Sequence, residues 1–137
     1  MMLRVANIED QMDMVLPLLA DLCRQDRPDW SIADAIRLCK SGEWLLIVAD
    51  EPGFAMVSVE TGRFSGQRRL SIEAVCHPNS QLTIDDYDSF WDVLARNLGC
   101  DEIVMQSKRR GWERKGWTPS WINYSRRVRE VSHAVVS

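Results

Sequence analysis

Residues 44–76 read WLLIVADEPGFAMVSVETGRFSGQRRLSIEAVC, and this stretch decides the fold. Trp44 to Ala49 is an unbroken apolar run between polar residues, the pattern of a strand covered on both faces. Asp50-Glu51-Pro52-Gly53 has the composition of a turn, so Phe54 to Glu60 reads as the hairpin partner. Thr61 to Gln67, containing Gly62 and Gly66, is the next turn. Leu70, Ile72, Ala74 and Cys76 then alternate with Ser71, Glu73, Val75 and His77, which predicts a third strand with two different faces. Pro78-Asn79-Ser80 ends it. The stretch therefore predicts three consecutive antiparallel strands.

Upstream, residues 2–6 form a short opening strand, and Asn7 caps a helix whose first turn carries Glu9 and Asp10 at its positive end. Val15, Leu16, Leu19, Leu22 and Cys23 share one helical face, with Pro17 tolerated or kinking the helix. After the break at Arg27-Pro28-Asp29, Ser31 and Asp34 resemble a capping box. Ile32, Ala35, Ile36 and Cys39 make a second stripe, and Gly42 ends that helix. Downstream, Thr83 and Asp86 resemble another capping box before Tyr87, Phe90, Trp91, Leu94 and Leu98 at helical spacing, closed by Gly99. Ile103 to Met105 is a short strand, Gly111 to Lys115 a brief helical segment, and Ser120 to Val131 a final long strand. Residues 132–137 read as a frayed tail, so the expectation is one domain over 1–131.

Composition narrows the function classes. The chain has 137 residues, ordinary for one domain, and 45% of them are apolar. No run of about 18 apolar residues is present, and the acidic start is unlike a secretory signal, so the expectation is a cytoplasmic protein. Cys23, Cys39, Cys76 and Cys100 stand singly, without the paired spacing of a zinc site, and read as reduced thiols packed as small hydrophobes. The net charge of −3 is unevenly spread. Residues 1–100 hold nine Lys and Arg against sixteen Asp and Glu, whereas residues 101–137 hold eight against four. A basic end section can attract phosphate, nucleic acid or an acidic protein surface, or simply neutralise an acidic body.

The order β-α-α-β-β-β-α-β-(α)-β, with three antiparallel strands followed by a strand–helix–strand unit, resembles the GNAT (acyl-CoA N-acyltransferase) superfamily over essentially the whole chain. Residues 105–117, MQSKRRGWERKGW, resemble that family's late segment, in which a short helix closes on a "YeklGF"-like phrase. Gly116-Trp117 matches its end, and Trp112 stands where tyrosine is usual. The resemblance implies a mixed α/β (α+β) fold, a central and mostly antiparallel sheet flanked by helices, with acetyl-CoA as cofactor if the protein is active.

The resemblance also supplies candidate residues. Glu73 lies on the strand that often carries the family's general base, with a solvent-facing strand glutamate as the alternative. Tyr124 falls where a thiolate-protonating acid would lie, with plain packing as its alternative. The implied cofactor contacts are Val75, Cys76, Gln81, Thr83 and Ser107, the last in place of the family's usual asparagine. His77 could act as a base, although a lone histidine at a strand end usually has no such role. The family's Q/R-x-x-G-x-G/A phosphate loop maps onto residues 77–86, HPNSQLTIDD, which contain neither glycine nor arginine. Asp85, Asp86 and Asp88 occupy the following helical turns, where pyrophosphate would bind. Each like-charge pair at about 4 Å costs about 1–4 kcal/mol.

Six tryptophans are many for this length. Trp44 and Trp91 fall on apolar stripes and read as core. Trp112, Trp117 and Trp121 lie among Lys108, Arg109, Arg110, Arg114 and Lys115, a mixture favoured at protein interfaces. The alternatives are tryptophans covering a sheet edge under arginines, and stacking on single-stranded nucleic acid. Two function classes follow. One is a non-catalytic binding or structural protein, similar to the small GNAT-like proteins of bacteriophage virions, with another protein such as a virion component, or a second copy of itself in a homo-oligomer, as partner. The other is an active N-acetyltransferase using Glu73.

Overall fold

The computed structural model describes residues 3–77 and 84–105, together with 114, 116–118 and 126; of residues 84–86 it describes the backbone. Two compact units divide the chain, Met1–Gln106 and Ser107–Ser137. In the first, the elements run β1 (Arg4–Ala6), α1 (Ile8–Asp26), α2 (Ile32–Ser41), β2 (Trp44–Val48), β3 (Phe54–Thr61), β4 (Arg68–Cys76), α3 (Ile84–Asn97) and β5 (Glu102–Met105).

Local signals in the sequence start and stop the helices. The Asn7 side chain accepts a hydrogen bond from the Glu9 amide at 3.0 Å. Ser31 and Asp34 form the expected reciprocal box, each side chain taking the other's backbone N–H, at 3.1 and 2.9 Å. Gly42 closes α2 in the left-handed conformation, and Arg27, at φ 47°, does the same for α1. Pro17 lies inside α1, which continues through it as one helix.

The five strands form one sheet in the order β1-β2-β3-β4-β5. The first three pairings are antiparallel, and β4 and β5 pair in parallel, so the sheet is mixed and mostly antiparallel. Two parallel neighbours need a crossover connection, and α3 supplies it. Both faces are covered. On one, α1 and α2 pack over Trp44, Leu46, Val48, Phe54, Met56 and Ala74. On the other, Tyr87, Trp91, Leu94 and Ala95 of α3 pack over Ile47, Ala55, Val57 and Leu70. The apolar run at β2 is thus explained by burial on both sides, and Trp44 and Trp91 are core residues.

The simple alternation expected along β4 is broken. Its register with β3 passes from Val57↔Ile72 to Met56↔Ala74, so Glu73 is an extra residue in a β-bulge. Leu70 and Ile72 pack under α3, whereas Ala74 and Cys76 pack under α1 and α2. One inserted residue moves the second half of the strand's apolar set to the opposite face.

The predicted cap Thr83, the helical segment over 111–115 and the strand over 120–131 fall wholly or mostly outside the described residues. The four cysteines are free and partly buried. Cys23, Cys39 and Cys76 pack into the α1/α2 core, and Cys100 packs into the α3 core. Burial pushes the Cys39 thiol up to about 11. Among the described residues, no helix is long and apolar enough to cross a membrane.

Candidate functional site

The bulge sets the first cluster. Regular pleating would leave Glu73 in a cross-strand pair, but here it stands outside the ladder beside Ala74. Ser58 of β3 donates its hydroxyl to Glu73 Oε1 at 2.8 Å, and both groups are partly buried. Ser58 pairs with Trp44 on one side and with buried Ser71 on the other. Since Trp44 belongs to the α1/α2 face, the Ser58–Glu73 pair lies on that face too. Glu73 is therefore a fixed, half-buried carboxylate on a bulge, which sets it apart from an ordinary solvent-facing strand residue. A carboxylate held this way can accept a proton from an amine or hold an ammonium group.

The second cluster closes the far end of β4. The parallel register ends at Ile72↔Met105, and β4 runs on to Cys76. Of the two residues named there for cofactor contact, Val75 is 46% exposed, whereas Cys76 turns inward, its thiol 4.0 Å from the Leu18 carbonyl. Burial raises the Cys76 thiol, and the charges of Asp21 and Asp26 add to the shift. The next residue, His77, is hydrogen-bonded through Nε2 to the hydroxyl of Tyr87 in the first turns of α3. The two rings lie 5.4 Å apart, and Tyr87 in turn stacks on Trp91 at 4.9 Å. Burial pushes His77 below its usual range, against the opposing pull of Glu51 and the Pro52 backbone. Burial and the Glu51 charge both raise the Tyr87 hydroxyl.

Sequence reasoning placed Glu73 correctly on its strand and missed its partner Ser58, because the register that joins them depends on the bulge. It named His77 but not Tyr87, which the helical stripe marked simply as core. Tyr124, Gln81, Thr83, Ser107, Arg109, Arg110, Trp112 and Trp121 lie outside the described residues. Within the second unit, Arg114 is exposed and Trp117 is partly buried. Among the described residues no group of His, Cys, Asp or Glu is arranged to hold a metal ion.

No protein-family model matches this sequence, and no curated protein matches it. Solved structures do match. One described as a probable acetyltransferase superposes with a TM-score of 0.69 at 15% identity, covering 95% of this chain and 99% of the other. The ribosomal-protein-alanine N-acetyltransferase of Brucella melitensis biovar Abortus 2308 gives 0.67 at 17% identity, covering 93% and 100%. A predicted acetyltransferase of Clostridium acetobutylicum, solved with acetyl-CoA, gives 0.65 at 13% identity, covering 90% and 95%. At these identities the likeness speaks for architecture, and the mixed sheet with its flanking helices is the GNAT acetyltransferase fold.

Proposed function

We propose that this chain uses the GNAT fold as a binding or structural protein, of the kind found in bacteriophage virions, and does not turn over acetyl-CoA. The observation that carries this reading is the start of α3. The helix begins at Ile84, so Asp85 and Asp86 lie in its first turn and Asp88 just beyond. A helix N-terminus attracts anions through its free N–H groups and its dipole. The carboxylates that the sequence places there carry the same sign of charge as a pyrophosphate. The segment before the helix, residues 78–83, offers no glycine for close backbone approach. These residues do not fit the diphosphate of acetyl-CoA, although a fold relative was solved with that cofactor.

A binding role needs a surface. The basic, tryptophan-rich stretch containing Arg109, Arg110, Trp112, Arg114, Trp117 and Trp121 has the composition that protein interfaces favour, so the proposed partner is another protein. The proposed location is the host cytoplasm or the virion.

Glu73 favours a second reading, an N-acetyltransferase acting on an unidentified amine. Its half-buried, serine-supported carboxylate is what a general base requires. Calorimetry of the purified protein with acetyl-CoA separates the two. Under the first reading no heat of binding appears at about millimolar cofactor, the weak end of specific affinity. Micromolar binding, with amine acetylation falling about 10²–10⁴-fold in Glu73→Gln, would overturn it in favour of the second.

A further inference from the structure

His77 and Tyr87 are ten residues apart in sequence, on the two elements that flank residues 78–83. Their hydrogen bond joins the end of β4 to the first turns of α3. A third element holds the ring from the other side. Gly53, buried at the end of the β2–β3 turn, has φ 142°, and a Cβ there would fall 1.9 Å from His77 Nδ1. The imidazole therefore rests directly on the Gly53 backbone, which leaves no room for a water molecule at that point.

Three consequences bear on the charge state of this ring. Nδ1 is buried and has no partner of good geometry among the described residues. A protonated imidazole carries N–H donors on both nitrogens, so it would bury a second donor and a net charge together. From the β2–β3 turn, Glu51 and the Pro52 backbone partly favour the cation. From α3 the ring meets the neutral Tyr87 hydroxyl, backed by the stacked Trp91. Desolvation is the largest influence, and its direction is toward the neutral ring.

We propose that His77, Tyr87 and Gly53 form a proton-operated pin, which holds α3 on the end of β4 while the imidazole is neutral and loosens when it takes up a proton. The pin does not depend on whether the protein binds acetyl-CoA. Because the folded state depresses the His77 pKa, the unfolded chain binds more protons near and below about pH 6.5. The stabilising contribution is therefore complete above that value and is lost as pH falls through the folded-state pKa.

The chain has two histidines, His77 and His133, so ring-proton NMR can follow both in the intact protein. His133→Gln assigns the pair, and Trp91→Phe assigns the Trp91 indole signal. The expected result has two parts. His77 titrates below about 6.5, and the Trp91 indole signal moves with the same midpoint, because its neighbour Tyr87 shifts when the pin opens. In parallel, wild-type Tm falls by several degrees more than that of His77→Gln between about pH 7.5 and about pH 5.5. If His77→Gln does not fold, Tyr87→Phe replaces it, and its Tm is expected to be lower than that of wild type at neutral pH. An ordinary His77 midpoint, an indole signal that ignores the titration, or an equal acid slope in wild type and variant would each overturn the proposal.

Discussion

At the scale of single residues, the most constrained backbone position described is Gly53. Its positive φ suits glycine alone, and the space where a side chain would begin is filled by the His77 ring. Replacing it with alanine forces both a strained backbone and displacement of a buried imidazole. Gly53→Ala is expected to lose about 3 kcal/mol or more of stability, read as a lowered midpoint in urea unfolding. Gly42 makes the contrast. It also has positive φ, but nothing lies within 4 Å of a Cβ placed there, so its constraint is the backbone conformation alone. In sequence the two glycines look alike, each following a polar stretch at the end of an element. What separates them is a side chain 24 positions away, whose place is set by the sheet.

At the scale of elements, β4 is where local pattern and tertiary structure part company. Leu70, Ile72, Ala74 and Cys76 fall at every second position, and period-two patterning predicts that they share one face. The bulge at Glu73 divides that face between the two cores. Deleting Glu73 would place Ile72 and Ala74 in successive positions opposite Val57 and Met56, which already lie on the matching faces. The deletion variant is therefore expected to fold, with a stability loss of about 1 kcal/mol or less in a denaturant melt. Unfolding of this variant would show instead that the local twist of the bulge, and not the pairing, holds β4 in place. The helices were more legible than this strand. Asn7, Ser31 with Asp34, and Gly42 all act where their sequence positions predicted, because a cap is satisfied by its own neighbours within one turn.

At the largest scale described, that of the first unit, the sheet is a shared wall between two cores, one roofed by α1 and α2 and the other by α3. Phe54, Met56 and Leu46 serve the first, while Ile47, Ala55 and Val57 serve the second, so β2 and the first half of β3 are buried on both sides. Phe54 is fully buried and is the largest of the fully buried side chains among the described residues. Phe54→Ala is expected to destabilise the protein by about 3–5 kcal/mol, a large part of the total for a domain of this size, measurable by calorimetric melting. The sequence by itself determined the order of the elements from β1 to β5, the caps of α1 and α2, the doubly buried strand β2 and the acidic start of α3. Each of these depends on contacts within a turn or on burial averaged over a whole element. The tertiary structure alone decided that Glu73 sits on a bulge with Ser58 as its partner, and that His77 meets Tyr87 over Gly53. Those contacts join residues from separate elements, and their geometry follows from strand register and helix docking, which no local pattern records.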